Sequence, residues 1–263
     1  MQPSSTIQPM IEVPLVGPRL SLAQRGVAEF TGTLLMTLVL LAAKLNGLQS
    51  ASVERVSGSL AGAVAVGATA SALLLALGRL ALGTGSGGNF NPLIALLEWI
   101  FRLHDARCTA VLLVAQFAGG VCGAMLGTFL AGALNALGAN QTPPHGWIFA
   151  ELFSSAGLMI VYFGCLNSGR KDFTPLAVGA WLAASAIGLP AALANPAVAL
   201  GVKAALGDRA ILWSVLLLAI LIQCLGALLA AGLLTFLFPK HGPGESQSFV
   251  KQNAAERVRA SEV

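Results

Sequence analysis

Two Asn-Pro dipeptides, Asn91-Pro92 and Asn195-Pro196, lie between long apolar segments, and each opens a further short apolar run. Asn is a favoured helix N-cap, and Pro is tolerated at the first helical position because its missing N–H would be unpaired there anyway. Each pair therefore predicts a helix start. Within a membrane, irregular backbone ahead of such a start is tolerated only where it is buried in protein or lines a water-filled cavity. Two such starts in one chain point to a pore.

A membrane setting follows from the composition. The chain is 56% hydrophobic and 10% charged, whereas a soluble domain carries roughly a quarter charged residues. An all-α, polytopic membrane protein is the class this implies, with lipid as its main surroundings. Thirty glycines suit close helix–helix approach, because small residues form helix interfaces in lipid. The net charge of +4 is spread over loops and tails, which argues against a nucleic acid partner. Cys108, Cys122, Cys165 and Cys224 have no paired spacing and read as small buried residues rather than disulfides or metal ligands. His104, His145 and His241 are expected to stand apart from other titratable groups. No metal site and no cofactor is assigned, and the absence of a nucleophile–base pair disfavours an enzyme.

A span needs about 20 largely apolar residues. Six are expected, at 24–45, 55–78, 108–132, 147–167, 174–190 and 211–238. Two shorter segments, 90–101 and 195–206, begin at the Asn-Pro pairs and are expected as re-entrant half-helices. Residues 1–23 and 239–263 are expected as polar tails, the N-terminal one without the features of a signal peptide.

The membrane part, 24–238, repeats itself. AEFTGTLLMTLVLLA from Ala28 matches AELFSSAGLMIVYFG from Ala150; NFNPLIALL matches LANPAVALG; the run from Gln116 matches that from Gln223. The copies are 24–132 and 147–238. Three spans per copy is an odd number, so the second is inverted relative to the first, an arrangement used by transport proteins with discontinuous helices. With both termini cytoplasmic, eleven of the fifteen Lys and Arg residues fall inside and only Lys44, Arg55, Lys203 and Arg209 outside, in line with the positive-inside rule.

SGGNFNPLIAL, ALANPAVALG and the AEF and AEL starts of spans one and four resemble the aquaporin, or major intrinsic protein, family across roughly residues 24–238. The resemblance implies six transmembrane helices and two half-helices in an inverted 3+3 repeat, homotetramers, and one pore in each protomer. The pore midplane would then comprise Asn91, Pro92, Leu93, Asn195, Pro196 and Ala197, with the Asn amides offered to a passing oxygen. Half-helix N-termini carry partial positive charge, and two facing ones oppose cations. Glu29 and Glu151 are carboxylates inside apolar spans, costly unless paired. They are expected to hold the backbone ahead of each half-helix; a proton relay in a secondary transporter is the alternative.

Two positions depart from the family pattern. Leu93 replaces the usual Ala of the first motif. Val198 follows the second motif where the family usually has Arg, and Val in its place resembles a bacterial branch of the family associated with arsenicals. The remaining filter positions fall at Ala192, near Ala183 to Ala186 (taken as Ala186), and at Ser71, the last subject to an insertion around Arg79 to Gly83. A constriction of Ser71, Ala186, Ala192 and Val198 would be wider and more apolar than a water-only filter. The expected activity is a passive channel for water and larger neutral solutes such as glycerol, urea, hydrogen peroxide or arsenous acid. A proton-coupled transporter, a water-selective aquaporin and a closed pore are the alternatives. Lys203 is expected as a snorkelling surface lysine, or leaning toward the outer vestibule. Short loops point to a bacterial inner membrane.

Overall fold

The computed structural model describes residues 20–49, 52–78, 89–132, 145–189 and 192–239. Most of both tails and the Arg79 to Gly83 insertion lie outside these residues. The described chain is helical, with no strand. Its α-helices are α1 (Leu22–Gln49), α2 (Ser52–Leu77), α3 (Pro92–Ile100), α4 (Ala106–Leu130), α5 (Trp147–Asn167), α6 (Thr174–Gly188), α7 (Pro196–Leu206) and α8 (Trp213–Leu237). Helices α1, α2, α4, α5 and α8 are long and apolar enough to cross a membrane. The fifth expected span is the shorter α6, 15 residues long, which packs along α2. The 9-residue α3 and 11-residue α7 are the two expected half-helices.

Both half-helices start as the sequence dictates. Asn91 is the N-cap of α3 and its side chain accepts from the Leu93 N–H at 2.9 Å, with Pro92 as first helical residue. Asn195 caps α7 in the same way, accepting from Ala197 N–H at 3.0 Å and Val198 N–H at 3.3 Å. A side-chain cap of this kind contributes about 1 kcal/mol, and Pro satisfies the remaining geometry without wasting a donor.

The repeat is visible in the packing. Helix α1 lies on α4 as α5 lies on α8. Gly119 of α4 sits against the Phe30 carbonyl and Leu34 amide of α1, and its counterpart Gly226 of α8 sits against the Leu152 carbonyl and Ala156 amide of α5. Gly119, Gly123 and Gly127 fall four residues apart, so they share one face of α4, and a Cβ on any of them would overlap α1 backbone. Small residues on such a stripe give two helices their close approach in lipid. Helix α7 crosses α4 equally closely, where a Cβ on Gly120 would overlap the Ala197 carbonyl.

All four cysteines are free thiols. Cys108 is buried, Cys165 and Cys224 are partly so, and Cys122 faces outward instead of joining the core. Lys203 neither snorkels nor leans into a vestibule. It is buried, ion-paired with Asp208, donating to the Ile211 carbonyl at 3.0 Å and lying 4.9 Å from the Trp213 ring. It ties the end of α7 to the start of α8.

Candidate functional site

Each half-helix is preceded by a short extended loop whose backbone is pinned by a buried carboxylate. Glu29 of α1 accepts from the Asn89 N–H at 2.9 Å and the Phe90 N–H at 2.8 Å, and from Gln116 Nε2 of α4 at 2.9 Å. Glu151 of α5 accepts from the Leu193 and Ala194 N–H groups, both at 3.0 Å, and from Gln223 Nε2 of α8 at 2.9 Å. Both carboxylates are almost wholly buried. An ionisable group in that position is sustained only by such partners. They hold backbone, and neither is among the residues lining the cavity described below.

The pinned loops have an unusual conformation. Phe90 and Ala194, the residues before the two capping Asn, have φ of 54° and 50°. The left-handed region costs a non-glycine residue about 1–2 kcal/mol. The turn aims each carbonyl at the Asn of the opposite loop. Asn91 Nδ2 donates to the Ala194 carbonyl and Asn195 Nδ2 to the Phe90 carbonyl, both at 2.8 Å. The two halves thus clasp each other through a reciprocal pair of hydrogen bonds. A carboxamide nitrogen has two hydrogens, so each Asn keeps one beyond the clasp.

Asn91 and Asn195 line a narrow cavity of about 30 Å³. Its walls come from Met36 and Leu40 of α1, Val66, Ala70 and Leu74 of α2, Leu158 of α5, and Val178 and Leu182 of α6. The loops and half-helices add Asn89, Phe90, Ile94, Leu193 and Val198. The N-termini of α3 and α7 meet at this cavity, so the positive ends of both helix dipoles converge there. None of the described residues lining it is charged.

Residues 18–214 match the profile of the major intrinsic protein family. The chain belongs to that family. Among solved structures, the aquaglyceroporin from Plasmodium falciparum has the same fold, with a TM-score of 0.66 at 16% identity, covering 81% of this chain and 96% of that one. No curated protein sequence matches the chain. As a major intrinsic protein the chain is an integral, multi-pass membrane channel for small neutral solutes.

The structure distributes the residues expected around a major intrinsic protein pore unevenly. Asn91 and Asn195 meet at the cavity, while Pro92, Leu93, Pro196 and Ala197 are buried behind them. The bulk of Leu93 is thus taken up by helix packing. Of the four filter positions, Val198 lines the cavity. Ser71 is turned toward Gly179 of α6, and the α2 residues on the wall are Val66, Ala70 and Leu74. Ala186 continues the stripe of Val178 and Leu182 by one turn and is exposed, and Ala192 is half-buried, two residues before Ala194.

One constellation was not expected. Asn89 Nδ2 donates to Glu98 Oε2 at 2.6 Å, and the Tyr162 hydroxyl lies 2.7 Å from Asn89 Oδ1 and 3.2 Å from Glu98 Oε1. His104 does not stand apart: its Nε2 is 3.4 Å from Glu98 Oε2 and its Nδ1 is 2.8 Å from Thr109 Oγ1. His145 is exposed.

Proposed function

We propose that the chain is a passive channel conducting water and larger uncharged solutes, of the size of glycerol, urea or arsenous acid, through a filter without the family's arginine. Val198 carries this reading. It is buried on the cavity wall, at the position after the second Asn-Pro-Ala where the family usually places a guanidinium. Val supplies neither charge nor donors, and less bulk. Pore width and lining donors set such selectivity, so a wider, apolar wall at this point favours uncharged solutes larger than water. The converging helix dipoles disfavour cations, and the apolar wall gives an anion no partner to replace its water. Four protomers, each with its own pore, would sit in a bacterial inner membrane with both tails cytoplasmic.

Stopped-flow light scattering of proteoliposomes in glycerol, urea and sucrose gradients tests the proposal. Fast, non-saturating flux of glycerol and water with low activation energy is the expected result. Saturating flux that requires a proton gradient would instead identify a coupled transporter, and water flux alone a water-selective pore.

A further inference from the structure

The internal repeat assigns every residue of one half a partner in the other, and around the cavity the polarity of those partners differs. Asn89 and Leu193 are equivalent, because Glu29 and Glu151 bind their respective backbone N–H groups, and both line the cavity. Glu98 lies seven residues beyond Asn91, and its equivalent beyond Asn195 is Val202. Tyr162 lies eleven residues beyond Glu151, and its equivalent beyond Glu29 is Leu40, itself on the cavity wall. Asn89, Glu98 and Tyr162 touch one another, while all three equivalents are apolar. The polar cluster exists at one end of the pore only.

The hydrogen-bond inventory of Asn89 defines what it has left to offer. Asn89 is 5% exposed. Its Oδ1 faces the Tyr162 hydroxyl, and one Nδ2 hydrogen goes to Glu98 Oε2. The second Nδ2 hydrogen has no acceptor among the described residues, and Asn89 is one of the residues that line the cavity. A buried donor without a partner is destabilising unless something in the cavity accepts from it. Glu98 and Tyr162 fix the plane of the amide, so the remaining N–H has a set direction.

Building on the channel reading above, we propose that Asn89 is a solute-binding residue of this pore. Its free amide N–H donates to an oxygen of a neutral hydroxylated solute on the α3 side of the clasp. Glu98 and Tyr162 act as positioning residues. The three carboxamides of Asn89, Asn91 and Asn195 then form a ladder of donors along one wall. A polyol, whose hydroxyls are spaced along its chain, can be handed along such a ladder while its carbons face the apolar wall opposite. Water, which accepts from any single donor, depends far less on the third rung.

The test compares glycerol and water permeability in the same proteoliposomes, made with the full-length protein. Asn89→Leu keeps the branched shape at a somewhat larger volume and removes the donor. It is expected to lower the glycerol-to-water permeability ratio about fivefold, the value of one neutral hydrogen bond. Glu98→Gln retains an oxygen for the amide of Asn89 and is expected to keep the wild-type ratio, whereas Glu98→Leu is expected to lose it. That pair decides the matter if Asn89→Leu does not assemble, because rescue by Gln would not follow from packing alone. A wild type that conducts glycerol, with a ratio unmoved in Asn89→Leu or equally changed in both Glu98 variants, overturns the inference and leaves the channel reading intact. A wild type that conducts no glycerol removes both.

Discussion

Replacing Glu151 separates a structural carboxylate from a proton-carrying one. In Glu151→Leu the N–H groups of Leu193 and Ala194 and the Nε2 of Gln223 all lose their acceptor. Each buried donor left unpaired costs about 1–3 kcal/mol, so the variant loses about 3–9 kcal/mol. A typical folded protein has about 5–15 kcal/mol in all. The loss also falls on Ala194, whose φ of 50° is sustained by those bonds. Glu151→Gln is far milder. Its amide oxygen remains an acceptor for the loop. Its new NH2 can donate to Gln223 Oε1, which has no partner at present, once the Gln223 amide turns over. At most one backbone N–H is left unpaired, about 1–3 kcal/mol, against three donors in Glu151→Leu. Glu151→Gln is therefore expected to retain most of the wild-type solute flux in proteoliposomes and nearly the wild-type melting point in detergent. Glu151→Leu is expected to lose both. A Gln variant that melts like wild type yet carries no solute would refute this reasoning, since only a role for the proton would distinguish the two side chains.

Val198→Arg restores the family's usual residue and is expected to reduce glycerol permeability about tenfold with a much smaller effect on water, since bulk and fixed charge narrow the wall; equal loss of both would remove Val198 from the filter. Asn195→Asp keeps a good N-cap but turns the donor facing the Phe90 carbonyl into an acceptor. Permeation is expected to fall and cation conductance in planar bilayers to rise, while unchanged cation exclusion would show that the helix dipoles outweigh this residue. Gly120→Ala places a Cβ on the Ala197 carbonyl and is expected to lower stability by about 1–3 kcal/mol through overpacking, read as a fall in the detergent melting point; an unchanged melting point would show that α7 can shift freely away from α4.

What could be read from the sequence was what the chain states twice. The Asn-Pro caps, the Glu at the start of α1 and α5, and the Gln-x-x-Gly of α4 and α8 each recur, and the structure joins them in the same way in both halves. Ser71 shows where counting breaks down. It was placed by distance from Asn91 across an insertion, and one residue of error rotates a side chain by about 100° around a helix. That carries the position from the cavity stripe of Ala70 and Leu74 to the α6 contact at Gly179. Asn89, Glu98 and Tyr162 are far apart in sequence and belong to no common motif. Their signal was present all the same, as polar residues where the other copy of the repeat is apolar.

The clasp between Asn91 and Ala194, and between Asn195 and Phe90, joins residues 103 and 105 positions apart. During synthesis the first half of the chain emerges with α3 already capped but with its partner carbonyl still unmade. The Phe90 carbonyl and the Asn91 amide must then wait, hydrated or shielded by other chains, until α7 arrives. The first repeat is thus an unfinished product by design, and docking of the second is the step that completes it. Expressed alone, residues 1–132 are expected to be cleared by membrane quality control, and co-expression with residues 133–263 to rescue them. The same contact that joins the two halves at the cavity would then serve the cell as a proofreading point for membrane insertion.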